Sequence, residues 1–172
     1  MIRPYLILIA LTLTGLTLYI VGNTVQDKSP VEIQEEVEIS TEDTVAVDSL
    51  KELLCALIHV ESRGVEDAIG DTHLGEPSIG VLQIRPVMVA EVNRILRKQK
   101  IKKRFKLKDR FSKQKSIAMF KVWREYHHKG DVLETIARNW NGGPSGFRNR
   151  RTKKYWYKVK KKLDEYKSLR RV

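Results

Sequence analysis

The sequence predicts a mainly α-helical domain that contains a small irregular or β region and follows an N-terminal apolar helix. Apolar residues recur at three- and four-residue spacing in several stretches between residues 49 and 166, which is typical of helices with one buried face. Residues 65–85 break this pattern because they contain three glycines and a proline. With 172 residues and no internal repeat, the chain is long enough for one domain with its own core.

The N-terminal segment, residues 1–25, is predicted to be a signal anchor or a signal peptide. Tyr5–Val21 is almost wholly apolar and follows Arg3, and its length fits either a signal peptide or a short membrane span. We favour the anchor because no clear A-x-A cleavage site follows, and the basic flank at Arg3 places the domain outside the cytoplasm. Residues 26–48 are acidic and poor in aromatic side chains, so they are predicted to form a linker.

The charge is divided unevenly along the chain. Residues 1–48 hold two basic and eight acidic residues, a net charge of −6, whereas residues 49–172 hold 31 basic and 13 acidic residues, a net charge of +18. Such a basic domain attracts polyanions, and nucleic acid and a bacterial cell wall are both candidates. The densely basic run from Arg97 to Lys108 suits either a solvated surface turn or a polyanion-docking site.

Three helices are predicted in the first part of the domain, which spans residues 49–172. The first begins at Ser49, where Ser49 and Glu52 match a capping box, and it ends before Gly64. The second begins at Pro86, a residue that suits a first helical turn. The third spans about Ser112–His127.

Two further helices flank a glycine-rich turn. The fourth begins near Val132 and ends where Asn141–Pro144 stops it. The fifth is predicted over Thr152–Tyr166, with lysines outward and an apolar stripe inward that comprises Tyr155, Val159 and Leu163.

The cysteine and the paired histidines are not predicted to form a metal site or a catalytic thiol. Cys55 lies within the first helix and is expected to be a small buried hydrophobic residue. His127 and His128 are neighbours on a helix, so their rings should point apart, and no further ligand completes a metal set. We therefore expect no metal site and no cofactor.

Glu61 is the first candidate for a catalytic group. The apolar stripe of the first helix includes Leu54, Leu57 and Ile58, and three residues further along it lies Glu61. A carboxyl at the edge of an apolar face loses hydration, which raises its pKa and lets it donate a proton near neutral pH. The alternative is a helix-end glutamate that simply reaches solvent.

Two distant segments contain motifs that complement Glu61. Together with Glu61–Gly64, the segments Ser78–Pro86 and Ala137–Pro144 give the order E-S, G-x-x-Q-I-x-P and A-x-x-[aromatic]-N-x-G. This order resembles the catalytic domain of lytic transglycosylases, in the group of soluble lytic transglycosylases and goose-type lysozymes. The resemblance covers about Ser49 to Leu163 and implies a lysozyme-like helical fold.

The resemblance also implies a reaction. Glu61 would protonate the glycosidic oxygen between N-acetylmuramic acid and N-acetylglucosamine, and would then act as the base that draws the C6 hydroxyl onto C1. The acetamido group of the substrate would stabilise the developing positive charge, and the product would be a 1,6-anhydro sugar. By the same resemblance, the residues that bind substrate would be Ser62, Ser78, Gln83, Trp140 and Asn141.

Trp140 departs from the family pattern, which usually has tyrosine at this position. A tyrosine hydroxyl would lie near the catalytic carboxyl, whereas an indole offers only an N–H donor, and Trp140 could instead be a core residue. Ser62 could serve as a helix-end hydroxyl, and Gln83 as a loop-capping side chain. No second catalytic carboxylate falls in a recognisable motif, although the loop after Glu61 contains Asp67, Asp71 and Glu76.

We therefore expect a peptidoglycan lytic transglycosylase that acts on glycan strands. It would be a single-pass inner-membrane protein held by its N-terminal helix with a periplasmic domain, or a secreted protein if residues 1–25 are cleaved. A role beside a wall-spanning or phage assembly would suit it, and nucleic acid is not an expected partner. Two alternatives remain open: a muramidase that hydrolyses the same bond with water, and a non-catalytic binder of wall or polyanion.

Overall fold

The computed structural model describes residues 41–169, and within this range the chain is mainly helical, as predicted. The predicted N-terminal apolar helix and residues 26–40 of the predicted linker lie outside the described residues. Between residues 41 and 169, no helix is both long enough and apolar enough to cross a membrane.

Five α-helices and one small antiparallel sheet, together with two short 3-10 helices at Leu107–Phe111 and Gly146–Arg148, make up the regular structure of residues 41–169. The predicted β part of residues 65–85 is confirmed, since its two strands pair with Ile69 opposite Ile79 and Gly70 opposite Ser78. In chain order the elements are α1 (Thr41–Ser62), β1 (Ile69–Gly70), β2 (Ser78–Ile79), α2 (Pro86–Lys98), α3 (Lys113–His127), α4 (Leu133–Gly142) and α5 (Thr152–Leu169).

Helix α1 begins at Thr41, earlier than the predicted start at Ser49. No glycine or proline lies between Thr41 and Gly64, so nothing in the local sequence stops the helix at Ser49. Residues 41–48, which the charge pattern assigned to the linker, therefore belong to the helix, and Ser49 is an interior residue rather than an N-cap.

The core is formed by the apolar faces of the helices, with α1 packed chiefly against α5, and α4 packed against both. Burying each large apolar side chain contributes roughly 1.5–3 kcal/mol. The prediction of a buried Cys55 is wrong, because its side chain is exposed. The buried face of α1 in this region is formed instead by Leu53, Ala56 and Leu57.

Two buried arginines, Arg110 and Arg138, hold the loops together, and neither role was predicted from the sequence. Arg110 Nη1 donates to the carbonyl oxygens of Pro77 and Ile84 at 3.0 and 3.1 Å, so it joins the residue before β2 to the turn that follows the sheet. Arg138 Nε donates to Thr152 Oγ1 at 3.0 Å, which joins α4 to the start of α5. Hydrogen bonds from a charged donor are stronger than neutral ones, so both arginines stabilise the walls of the site described next.

Candidate active site

The three motif-bearing segments line one cleft of about 560 Å³. The end of α1 contributes Glu61, and the sheet and the turn after it contribute one wall. The C-terminal end of α4 contributes the other wall. Of the six residues predicted for the site, the five that line the cleft are Glu61, Ser78, Gln83, Trp140 and Asn141.

Glu61 has the environment of a proton donor. Its Oε1 accepts a hydrogen bond of 2.6 Å from the Tyr155 hydroxyl. Burial raises the pKa of Glu61 to about 7, the hydrogen bond from Tyr155 opposes this rise, and the negative charge of Asp71 adds to it. A carboxyl with a pKa near 7 is protonated in a large fraction of molecules at neutral pH, so it can act first as acid and then as base.

Tyr155 contacts Glu61 directly, and the sequence did not predict this contact. It was placed only in the apolar stripe of the last helix, but its hydroxyl reaches across to Glu61 from α5. Burial, followed by the negative charge of Glu61, raises the pKa of the Tyr155 hydroxyl well above its usual value, so it remains a donor. One signal was present in the sequence, since a tyrosine on a buried stripe needs a polar partner for its hydroxyl.

Trp140 serves as both a packing residue and a wall of the cleft. Its ring packs edge-on against Phe120 and Trp123, with centroid distances of 5.2 and 5.1 Å. It also lines the cleft that contains Glu61. The hydroxyl contact that tryptophan cannot make to Glu61 is supplied by Tyr155.

Gln83 shapes the cleft wall through hydrogen bonds within its own loop. Its Nε2 donates to the carbonyl oxygens of Ala68 and Gly80 at 3.2 and 3.0 Å, and its Oε1 accepts from the Ser78 hydroxyl at 2.8 Å. The backbone of Gln83 has a positive φ of 47°, a conformation that such side-chain bonds help to hold. These bonds agree with the loop-capping alternative for Gln83, which also lines the cleft.

Gly80 is required by the backbone of this turn. Its φ is +79°, and a Cβ atom at this position would lie 2.0 Å from the carbonyl oxygen of Arg110. Only glycine fits such an approach without displacing backbone. The glycine of the G-x-x-Q motif thus allows Gln83 and Arg110 to fix the same loop.

Ser62 does not line the cleft. Its hydroxyl donates to the carbonyl oxygen of Val81 at 3.0 Å and accepts from the Gly64 amide at 3.1 Å. These bonds tie the end of α1 to the turn after the sheet. The contacts of Ser62 therefore agree with the alternative of a helix-end hydroxyl.

Asp71, Arg85 and Asn141 supply exposed polar groups along the cleft. Of the three loop carboxylates considered as partners for Glu61, only Asp71 lines the cleft, and its charge contributes to the raised pKa of Glu61. Neither Asp67 nor Glu76 is part of the lining. Arg85 had no assigned role in the sequence, and it places one cation along the same cleft as the two carboxyls.

The rings of the adjacent residues His127 and His128 were expected to point apart, but both residues line one pocket. Their rings both line a second pocket, next to the cleft, because His128 lies just past the last residue of α3 and departs from helical geometry, with φ −137° and ψ 24°. In the part of the chain that the structure describes, no group of three or more histidine, cysteine, aspartate or glutamate side chains is placed to hold a metal ion.

The basic run from Arg97 to Lys108 lies on the surface, and all of its basic side chains are exposed. Only Phe105 within the run is buried. This arrangement leaves a concentrated positive charge open to solvent, which is compatible with either alternative proposed for it.

Neither a family model nor a curated protein matches this chain at a significant level.

Proposed function

We propose that this protein is a peptidoglycan lytic transglycosylase with a lysozyme-like fold, and that Glu61 is its acid and its base. The observation that carries the proposal is the pKa of Glu61, raised to about 7 by burial, in a cleft whose walls come from the two other motif-bearing segments. A buried carboxyl costs free energy of folding unless a cation pairs with it, and active sites commonly retain such groups.

The proposed reaction requires one carboxyl that changes its role. Protonated Glu61 gives its proton to the glycosidic oxygen as the bond to C1 of N-acetylmuramic acid breaks. The substrate acetamido group stabilises the positive charge at C1. The Glu61 carboxylate then takes the proton of the C6 hydroxyl while the C6 oxygen forms a bond to C1. Glu61 therefore ends the cycle protonated. Tyr155 orients Glu61 Oε1 and, by donating a hydrogen bond, favours the carboxylate that this second step needs.

The substitution Glu61→Gln tests the catalytic assignment. It removes the proton donor with little change in shape, and we expect cleavage of purified peptidoglycan to fall by at least about 100-fold. Glu76→Gln is the matched control, because Glu76 is exposed and does not line the cleft. Cleavage that survives in Glu61→Gln would remove Glu61 from the mechanism, whereas absent cleavage in the unmodified protein would favour the non-catalytic binder.

A hydrolytic muramidase is the second candidate because Asp71 shares the cleft with Glu61. An exposed carboxylate could activate water or stabilise the charge at C1. The substitution Asp71→Asn separates the two reactions. If the protein is a transglycosylase, Asp71→Asn should retain most of its activity and still form anhydro ends. If it is a muramidase that depends on Asp71, the variant should no longer produce new reducing ends.

The positive charge of the domain is compatible with binding to an anionic cell wall. Residues 49–172 carry a net charge of +18, and a wall is rich in anionic groups, so electrostatic attraction would hold the domain close to its substrate. We further propose that residues 1–25 anchor the chain in the inner membrane or direct its secretion. Local opening of the wall for a secretion, conjugation or phage assembly would suit an anchored enzyme of this kind.

A further inference from the structure

An apolar groove lies between α1 and α3 and is here called the α1–α3 groove. Its volume is about 510 Å³, within the range of roughly 300–1,000 Å³ that small-ligand sites occupy. Its apolar walls are formed by Leu50 and Leu54 of α1 and by Ile117 and Phe120 of α3. No residue lines both this groove and the catalytic cleft, so the two cavities are separate sites on the domain.

Arg124 lines the groove and has one hydrogen-bond donor without a partner. Its Nη1 donates to Glu125 Oε2 at 3.0 Å, whereas its Nε is fully buried and donates to no acceptor. Within residues 41–169, Arg124 Nε is the only fully buried side-chain nitrogen or oxygen atom that has no partner. Buried polar groups are normally paired, so this N–H indicates an acceptor that a bound molecule would supply.

The charged residues of the groove favour an anion. Lys51 and Lys121 are exposed, and Arg124 adds a third cation to the lining. Among the described lining residues the one carboxylate is Glu125, which is already paired with Arg124 and, at 3.1 Å, with Lys129 Nζ. Three cations and one carboxylate give the lining a net charge of +2. A negatively charged acceptor therefore complements both the charge and the unpartnered Nε.

The apolar walls require a ligand with a hydrocarbon tail. Ile117, Phe120, Lys121 and Arg124 recur at three- and four-residue spacing, so they form one stripe along α3. At 1.5 Å per residue this stripe is about 10 Å long, with Ile117 at one end and Arg124 at the other. A carboxylate suits the Arg124 end better than a phosphate, because a second negative charge beside an apolar wall costs further desolvation energy.

We propose that the α1–α3 groove binds a medium-chain alkyl carboxylate, a ligand of the fatty-acid class. The tail lies against Leu54 and Phe120, and the carboxylate accepts a hydrogen bond from Arg124 Nε. This site does not depend on the proposed function, because it shares no lining residue with the cleft that contains Glu61. It gives the domain a second, non-catalytic binding site.

Calorimetric titration of the full-length chain with decanoate, below its micelle-forming concentration, tests the class of ligand. Decanol has the same tail without the charge, decyltrimethylammonium has the opposite charge, and decyl phosphate has a second negative charge. We expect decanoate to bind about tenfold more tightly than each of these, because a charged acceptor strengthens the hydrogen bond to Nε. Equal affinity for decanol, or tighter binding of decyl phosphate, would overturn the proposal.

The substitution Arg124→Met tests the role of the unpartnered donor. It removes the charge and the N–H while keeping an unbranched side chain, and it should raise the Kd for decanoate about tenfold or more. Arg97→Met is the matched control, because Arg97 is exposed on α2 and lies outside the groove. The same Kd in folded Arg124→Met and in the unmodified protein would also overturn the proposal.

The Nε–H signals of the arginines in ¹H–¹⁵N NMR spectra test the unmodified protein in case Arg124→Met does not fold. Decanoate should shift the signal of Arg124 Nε, and decanol should not. Arg110 Nε and Arg138 Nε already donate to the Leu107 carbonyl and the Thr152 hydroxyl, so their signals should stay in place. An Arg124 signal that does not move at saturating decanoate would mean that water alone meets this donor, which contradicts the proposal.

Discussion

Removing the Tyr155 hydroxyl should move the ionisation of Glu61 to higher pH. In the folded chain the hydroxyl donates to Glu61 Oε1 at 2.6 Å, which favours the charged carboxylate and lowers a pKa that burial has raised. In Tyr155→Phe the burial remains and the donor is lost. A hydrogen bond to a charged group contributes roughly 1.5–3 kcal/mol, which corresponds to about one to two pKa units. The pKa of Glu61 should therefore rise from about 7 to above about 8.

The pH dependence of cleavage measures this shift. If Glu61 is the acid, activity falls as it ionises, so the alkaline limb of the profile should lie near pH 7 and move up by about one to two units in Tyr155→Phe. A ¹³C-NMR titration of the Glu61 carboxyl gives the same value without relying on activity. Tyr157→Phe is the control on the same helix, because Tyr157 is 67% exposed. A limb that stays in place or moves to lower pH would refute the assignment of Tyr155.

Three further predictions concern stability. The pKa of Glu61 rises from 4.5 to about 7 on folding, so its stabilising contribution is complete below pH 4.5 and is lost as pH rises to about 7. In urea unfolding, the difference in free energy of unfolding between Glu61→Gln and the unmodified protein should therefore shift by about 3 kcal/mol in favour of Glu61→Gln across this window. A difference that does not depend on pH would contradict the raised pKa. Gly80→Ala should cost on the order of 2–3 kcal/mol in thermal unfolding, whereas Gly75→Ala, whose Cβ meets open space, should be nearly neutral; equal effects would refute the account of the turn. Arg110→Lys cannot satisfy the carbonyl groups of its loop and should cost about 2 kcal/mol by the same measurement, whereas the exposed Arg97→Lys should not.

Local patterns in the sequence were sufficient to predict most helices and the central residue of the site. The three- and four-residue spacing of apolar side chains locates α2 to α5 within a few residues, because each helix buries one face. The same spacing placed Glu61 at the edge of the α1 stripe, and its raised pKa follows from that position. These inferences depend only on neighbours along one helix.

Features that depend on distant contacts were missed. Tyr155 meets Glu61 across 94 positions of sequence, and its spacing on α5 indicates only that it is buried. The two buried arginines bind backbone carbonyl groups, which carry no sequence signal. His128 lines the same pocket as His127 because α3 ends at His127, as predicted, so the rule that adjacent helical side chains point apart does not apply to this pair.

The central claim is that Glu61 cleaves glycan strands without water, and the products of digestion test it most directly. Purified peptidoglycan would be digested in ¹⁸O-water with the full-length chain and, in a parallel reaction, with Glu61→Gln. The masses of the resulting muropeptides would be measured by mass spectrometry. We expect 1,6-anhydro ends that are lighter than reducing ends by one water and carry no ¹⁸O, and no cleavage by Glu61→Gln. Reducing ends that carry ¹⁸O would contradict the transglycosylase account.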